Sequence, residues 1–467
     1  MKTFKTTVVA LFLTTTIFAQ EHFTGLSTSS RSGIINAGTN PAEIMNMPNK
    51  FDFNLFGFSV NVANNKVGFK DITSGKDLQD LIFQGNDPVN MRINTEIFGP
   101  GLAMKFNNWG IAIFTKATAK LDVIDVDPKL GDAINNANDY TGLATLLNNS
   151  NNQRVLGTAW GEVDATLSRT IFNTSRFKFS AGVTGKALFP SAYANVGING
   201  LQGTIVNVGG TSYLSNASAQ VNFAYSGALA NDYENFDDFA KKAFGKVGGF
   251  AADLGVNFQI KGKEEEVTND EQGTKKPKKR NNYILNAGAS VRNIGSMILK
   301  DDNNQSTTYG FNTLTNTSGD INSLDLSELE NLNSIKDVET YLYSNNYLTK
   351  QSSNKDFKIQ LPTTLNLYAD VRIIKRVYVS GFLQQNLNKV SDNTKTSAQN
   401  VLTITPRFNT GFFEMYVPFS NTSVAGFNTG IGFRVGGFYI GSGSAVSALI
   451  NDTKQIDAYL GFRWAFL

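Results

Sequence analysis

The chain has 467 residues, a net charge of +3 and no cysteine. The near balance of charges predicts no nucleic-acid partner, and the lack of cysteine excludes a disulfide framework, a thiolate metal site and a lipid anchor on cysteine. The length would suit two or three soluble domains, but no stretch resembles an interdomain linker, so we expect one structural unit after the leader.

The first residues have the parts of a secretory signal peptide. Two lysines give a positive start, an apolar core covers residues 8–19, and a small residue precedes Gln20. We expect residues 1–19 to be removed. No later segment reaches the roughly 18 consecutive apolar residues of a membrane-spanning helix, so the exported chain is expected to be soluble, bound to a surface, or a β-barrel.

Residues 20–49 form a polar leader that is rich in glycine and serine and has no sustained period. The leader contains Asn40, Pro41 and Ala42 in succession. The first run of alternating residues follows, with aromatic side chains at Phe51 and Phe53.

This order of features resembles the long-chain fatty-acid transporter superfamily of outer-membrane barrels. It resembles more closely a Gram-negative barrel family of unknown function in which Asn-Pro-Ala-x-Ile precedes the first strand. Residues 289–295 and 361–365 also resemble that family. In the transporters the leader folds inside the barrel as a hatch, so the resemblance implies a hatch at residues 20–49 and an outer-membrane β-barrel at residues 50–467.

Alternation of apolar and polar residues predicts an all-β chain with fourteen antiparallel strands. The first runs from Phe51 to about Lys70, with a register change near Phe56 and Gly57, as a β-bulge requires. The other strands are predicted at residues 91–106, 109–124, 163–171, 177–183, 250–260, 283–291, 361–373, 377–387, 399–408, 412–419, 424–435, 437–446 and 457–467.

The lengths of the connections support a transmembrane barrel with both termini on the periplasmic side. Connections after even strands are short, at residues 107–108, 173–176, 374–376, 409–411 and 436. Connections after odd strands include long ones, at residues 71–90, 125–153, 191–249 and 292–360. The exception is the charged stretch 262–282, for which a solvated turn is favoured over binding of nucleic acid or lipid because its two signs nearly cancel.

The last strand has one face fit for lipid and one fit for water. The apolar face carries Ile456, Ala458, Leu460, Phe462, Trp464 and Phe466. The spacing of Gly461, Trp464 and Phe466 resembles the C-terminal signal of bacterial outer-membrane barrels, although Leu467 follows the final aromatic residue. The partners implied are outer-membrane lipid and the barrel assembly machinery of a Gram-negative bacterium.

The sequence predicts neither an enzyme nor a cofactor or metal site. His22 is the single histidine, and hydrolases of outer membranes generally need a histidine base. Glu162 and Asp164 alternate with Trp160 on one strand, where a lumenal ion-pair network is favoured over acid–base catalysis. No loop has a calcium-binding spacing.

Charged residues of both signs fall on the faces predicted to line the lumen. They are Lys178, Lys186, Asp253, Arg292, Asp370, Arg372, Arg407, Arg434, Asp457 and Arg463. This mixture predicts pairing among them or with the hatch, since a selectivity ring would carry one sign.

Two long connections contain amphipathic helical patterns. Phe236, Phe239 and Phe244 repeat at helical spacing, and Ser327 with Glu330 predicts the start of a second helix by a capping box. Packing on neighbouring loops is favoured for both. The alternative is a ligand-binding site above the barrel, formed by the three phenylalanines.

Gly99, Pro100 and Gly101 interrupt the second strand. Proline has no amide hydrogen for the ladder, and flanking glycines weaken the pairing further. The favoured interpretation is a bulge that helps the wall to curve. The alternative is a lateral gap through which a hydrophobic ligand leaves into the bilayer, as the resemblance to the fatty-acid transporters implies.

The leading hypothesis, which the resemblance to the fatty-acid transporters implies, is passage of a hydrophobic small molecule. Passage is expected to be passive, because the sequence has no nucleotide motif. A protein-interaction barrel that serves secretion machinery is the first alternative, and a structural or adhesive surface protein is the second. The first alternative follows from the resemblance, since members of the superfamily have such roles.

Overall fold

The barrel is seen in a computed structural model that describes residues 22–227, 246–262, 283–300, 304–315, 323–329, 332, 334–450 and 452–466. Within these residues, one antiparallel sheet closes on itself because the first strand pairs with the last. Several strands are interrupted, and segments that continue one another along the wall are counted here as one strand. The closed wall then has fourteen strands, which confirms the predicted number.

The strands in the middle of the chain are longer than those near either end. The first five are β1, Phe51–Asn64; β2, Val89–Phe106; β3, Trp109–Val126; β4, Thr145–Asn173; and β5, Phe177–Val208. The next three are β6, Thr211–Gly227 and Gly249–Lys261; β7, Tyr283–Leu299 and Gln305–Asn312; and β8, Leu348–Asn354, Phe357–Gln360 and Thr364–Ile374. The last six are β9, Val377–Asn386; β10, Val401–Asn409; β11, Phe413–Tyr416 and Phe419–Thr422; β12, Gly426–Thr429 and Ile431–Val435; β13, Phe438–Ser442; and β14, Gln455–Phe466.

The helices are short. They are α1, Phe69–Thr73; α2, Leu78–Ile82; α3, Pro128–Asn135; α4, Ile335–Ser344; and α5, Ala445–Ile450. 3₁₀ helices cover Gly33–Gly38, Pro41–Asn46, Thr313–Thr315 and Leu326–Leu329, and a strand Ser323–Asp325 pairs with β6. In the part of the chain that the structure describes, no helix is long and apolar enough to cross a membrane.

The period of two residues along each strand sorts the side chains onto two faces of the wall. On β3, Ile111 and Ile113 are exposed outside, whereas Ala112 and Phe114 are buried inside. Similar exposed apolar residues lie on neighbouring strands, such as Leu102 on β2 and Leu167 on β4. A closed barrel with an apolar outer belt is the form in which β-strands satisfy their backbone groups in lipid, so the wall spans a membrane.

The register change predicted near Phe56 is confirmed. Pairing between β1 and β14 shifts between Asn54 and Phe56, which leaves Leu55 as the extra residue. The switch keeps apolar side chains on the outside on both sides of the bulge, because Phe53 and Phe58 are both exposed.

The predicted short connections after even strands are confirmed, but two connections after odd strands are also short, at residues 209–210 and 423–425. Short turns join the strands at one rim, which we term the turn end, at residues 107–108, 174–176, 375–376, 410–412 and 436–437. The opposite rim is the loop end. Of the charged stretch predicted between β6 and β7, residues 263–282 lie outside the described residues.

The predicted loops 125–153, 191–249 and 292–360 are wrong in part, because β4 to β8 continue past the loop end as a five-stranded sheet. On the extension of β5, Ala194, Val196 and Ile198 pack into an apolar cluster outside, while Asn195 and Gly197 face inward. Small residues and asparagine are typical of loops, so their alternation was not recognised as a strand.

Helix α4 covers the outer face of this sheet. Its Ile335 and Leu342 join the apolar cluster, as the predicted second helix requires, but the predicted start is wrong. The N-cap is Ser334, whose Oγ accepts a hydrogen bond from the Asp337 amide at 3.1 Å. Ser327 lies in a separate 3₁₀ turn, where its amide donates to the Asp325 carboxylate.

The apolar belt predicts a position-dependent cost for charge. Ile113→Arg places a guanidinium on the lipid face of β3 and should destabilise the folded barrel by about 2–4 kcal/mol. Leu146→Arg changes a side chain that is 71 % exposed on the extension of β4, beyond the belt, and should cost almost nothing. Urea titration of both variants in lipid vesicles measures the difference, and equal costs would contradict the assignment of the belt.

Candidate functional site

Residues 22–47 lie inside the turn-end half of the barrel, and we term them the floor segment. Nearly all are buried. They supply Phe23, Leu26, Ile34, Ile35, Ala37, Ile44 and Met47 to an apolar cluster completed by the wall residues Phe98, Ala103, Ala112, Phe114, Tyr416, Tyr439 and Tyr459. Residues 22–47 therefore pack against the lumenal side of the wall.

The Asn-Pro-Ala motif attaches the floor segment to the wall. Asn40 caps the 3₁₀ helix Pro41–Asn46, since its Oδ1 accepts the Ala42 amide hydrogen at 3.0 Å. Its Nδ2 donates to the Val256 carbonyl at 2.9 Å. Pro41 suits the first helical position because its φ is already fixed there, and its carbonyl accepts from Ser168 Oγ at 2.6 Å.

Two glycines of the wall make room for the motif. A Cβ on Gly255 would lie 2.0 Å from Asn40 Oδ1, and a Cβ on Gly182 would lie 2.7 Å from the Ala42 nitrogen. Both distances are far shorter than a van der Waals contact. The motif thus fits a notch that β5 and β6 provide only because glycine occupies these two positions.

Glu43 follows the motif and is a second attachment that the sequence did not reveal. Its Oε1 accepts hydrogen bonds from Asn257 Nδ2 at 2.7 Å and Asn286 Nδ2 at 3.1 Å, and from the Tyr368 hydroxyl. Several donors around one buried carboxylate replace the water that it loses. The donors come from β6, β7 and β8, so Glu43 ties the floor segment to three strands.

Arginine–carboxylate pairs hold the first half of the floor segment. Arg407 lies 3.1 Å from Glu414 and 3.4 Å from Asp370, and it donates to the Gly25 carbonyl at 2.8 Å. Arg434 lies 2.9 Å from the same Glu414. The predicted pairing of lumenal charges with one another and with the leader is confirmed here.

Two other lumenal cations also have partners in the wall or in the floor segment. Arg463 pairs with Asp52, and Lys178 donates to the Met45 carbonyl at 2.6 Å. Asp52 and Glu414 were missed because each is a single acidic residue on an otherwise ordinary strand.

Glu162 and Asp164 take part in a separate ion-pair network above the floor segment. Lys116 lies 2.9 Å from Glu162. Lys186 lies 3.0 Å from Asp253 and 3.7 Å from Asp164. The structural interpretation of these two acids is therefore confirmed. Among the described residues, no group of three histidine, aspartate or glutamate side chains could hold a metal ion.

A small chamber lies directly above the floor segment, with about 90 Å³ of water-accessible space. Aromatic rings line it at Phe23, Phe98, Trp160 and Phe382, and charged groups line it at Glu96, Lys116, Lys120, Glu162 and Arg292. The chamber is therefore small and amphipathic.

The interruption in β2 lies beside this chamber. Pairing between β2 and β3 shifts between Phe98 and Gly101, so the predicted bulge is confirmed. Asn54 Nδ2 bridges the break by donating to the Phe98 carbonyl at 3.0 Å and the Gly99 carbonyl at 2.8 Å. Phe98 stacks on Phe114 with ring centroids 4.9 Å apart. These rings close the chamber on the side of Pro100.

The other predicted site residues lie elsewhere. Gly461 faces the lumen, where its missing side chain leaves room for the Tyr439 hydroxyl. Trp464 is 67 % exposed near the turn end, where an aromatic girdle is expected. The backbone of Phe466 pairs with Phe51, and its side chain lies outside the described part. Also outside the described residues are Phe236, Phe239 and Phe244.

A family of unknown function, DUF5723, matches residues 41–443, which is most of the chain. The chain belongs to DUF5723. The expected membership in a family of unknown function agrees with this match, which begins at Pro41 and so leaves the Asn-Pro-Ala motif as a prediction. Among curated proteins, none matches this DUF5723 chain.

Several solved structures are similar to this DUF5723 chain at low sequence identity. A deltaS2S3 mutant of the monoaromatic hydrocarbon channel TodX is 11 % identical, with 96 % of this chain and 99 % of that chain covered and a TM-score of 0.44. The Pseudomonas putida toluene transporter TodX is 10 % identical, with 96 % and 98 % covered and a TM-score of 0.38. A Pseudomonas aeruginosa FadL homologue is 9 % identical, with 96 % and 98 % covered and a TM-score of 0.39. Similarities this low carry no argument about function.

The glycine notch makes a prediction about the floor segment. Gly255→Ala should push Asn40 out of its site and cost about 1–3 kcal/mol, as overpacking of a filled interior does. Gly185→Ala is the matched control, because a Cβ there has no atom within 4 Å. Thermal unfolding in detergent and protease cleavage within residues 22–47 measure the effect. Equal stability of the two variants would show that the notch does not hold the motif.

Proposed function

We propose that the protein lies in the outer membrane of a Gram-negative bacterium and passes a hydrophobic small molecule inward by diffusion. The closed wall, its apolar belt and the C-terminal pattern of Gly461, Trp464 and Phe466 support the location. The turn end then faces the periplasm, and the loop end faces outward. The expected assembly partner is the barrel assembly machinery, which would bind the last strand.

The proposal rests on the position of two aromatic rings beside the chamber. Phe98 and Phe114 separate the chamber from the bulge at Pro100, where β2 lacks regular pairing. A ring that rotates away from this position would join the chamber to the lipid outside. Along such a path a hydrophobic molecule would stay in contact with apolar groups instead of water, which is favourable.

A path along the barrel axis, past the floor segment, is much less suited to a hydrophobic molecule. Below the chamber, the floor segment is held by Glu43, Arg407 and the glycine notch. Several buried charged groups would have to lose their partners before the segment could leave, which costs about 3–5 kcal/mol for each broken pair. A sideways exit at residues 98–101 leaves these pairs intact.

The exit can be tested at Pro100, whose replacement restores an amide hydrogen to β2. Pro100→Val should strengthen pairing across the bulge and slow uptake of a hydrophobic fluorescent probe, N-phenylnaphthylamine, by about tenfold if one neutral hydrogen bond is gained. The matched control is Pro406→Val, which changes a proline within β10 on another part of the wall. Uptake that is equal in both variants and in the parent protein would contradict the lateral exit.

Protein docking is the second candidate, favoured by the extended sheet at the loop end. Within the described residues, no strand pairs with the outer edge of 145–151 on β4 or of Leu348–Asn354 on β8. Free edges of this kind can add a strand from another protein, such as a component of secretion machinery. A stoichiometric protein partner that co-purifies in detergent, without bound lipid, would favour this function over transport.

A further inference from the structure

Residues 387–400 connect β9 to β10 and cross the barrel above the chamber, and we term them the roof segment. On the side of the lumen next to β8, the roof segment forms hydrogen bonds with Gln360 of β8 and with the residues that follow it. The Leu387 amide donates to the Thr363 carbonyl at 2.9 Å. The Gln360 amide donates to the Thr394 carbonyl, and the Thr396 amide donates to the Gln360 carbonyl.

On the far side, three cations from β2, β3 and β4 hold the roof segment. Arg92 donates to the Ser397 carbonyl at 3.0 Å, and Lys120 donates to the same carbonyl at 2.7 Å. Arg154 donates to the Val390 carbonyl at 2.7 Å. All three cations are buried. Arg92 also donates to the Ser397 hydroxyl at 2.7 Å, so the three cations hold both the backbone and one side chain of the roof segment.

The roof segment separates two cavities. Its Ala398 lines the chamber below. Its residues 389–391 and Asn393 line a vestibule of about 640 Å³ at the loop end, together with uncharged polar side chains of the extended sheet such as Asn199 and Gln220. A solute that enters the vestibule must pass the roof segment before it reaches the chamber.

The roof segment is held differently from the floor segment. Its apolar residues are Leu387, Val390 and Ala398, of which the first two are exposed. The floor segment instead buries seven apolar side chains in one cluster. A segment with little apolar burial loses little hydrophobic free energy when it opens. Arg92 keeps its ion pair with Asp122, 2.7 Å away, when the roof segment leaves, so this buried cation is not left without a partner.

We propose that the roof segment is an outer gate of the lumen, with Arg92, Lys120 and Arg154 as its latch. The gate opens by release of the carbonyls of residues 390–397 from the far wall, while the floor segment stays in place. Passage through the barrel then depends on two separate barriers. This gate is independent of the chemical nature of the molecule that passes, so its test uses no hydrophobic ligand.

The latch can be tested by access to the chamber. Because the chain has no cysteine, Thr118→Cys places a single thiol on the chamber wall. Lys120→Met in this background removes one charged bond and should raise the rate of labelling by a membrane-impermeant maleimide in detergent about tenfold or more. Loss of the neighbouring cation would by itself slow labelling by making the thiolate less favourable, so a faster rate reports opening.

Lys129→Met is the matched control, since this lysine is exposed on α3 and lies away from the roof segment. Labelling in that variant should equal the parent rate. If Lys120→Met also labels at the parent rate or more slowly, the latch is wrong.

Discussion

A fourteen-stranded wall encloses more space than its inward side chains can fill, and half of its residues must face that space. The inward faces of this barrel carry buried charges, which are costly unless each finds an opposite charge or several hydrogen-bond partners. The floor segment meets both demands. It fills the lumen with apolar side chains and supplies Glu43 and the Gly25 carbonyl to the wall. The wall and the floor segment therefore depend on each other for stability.

Much of the wall could be predicted from the sequence because its signals are local. Alternation gave fourteen strands, and the change of parity near Phe56 gave the bulge in β1. The lumenal position of Arg407, Arg434 and Lys186 followed from the same period. Mixed signs on one face also predicted that these charges would pair, since a buried charge without a partner is costly.

The rest depends on contacts between distant parts of the chain. Glu43 is one acid in a polar leader, and only the closed barrel brings Asn257 and Tyr368 to it. The roof segment is a polar stretch of ordinary loop composition, and its course across the lumen is set by cations more than 230 residues away in sequence, such as Arg154. The extension of β5 was missed because asparagine and glycine, which are typical of loops, alternate with its apolar residues such as Val196 and Ile198.

These contacts imply a barrel that is closed along its axis. The floor segment blocks the turn end, the roof segment blocks the loop end, and a small chamber lies between them. The most direct test is the ionic conductance of the intact protein in planar bilayers. The account predicts traces that match the bare bilayer apart from brief openings. A large, steady conductance would show that the lumen is open and would contradict it.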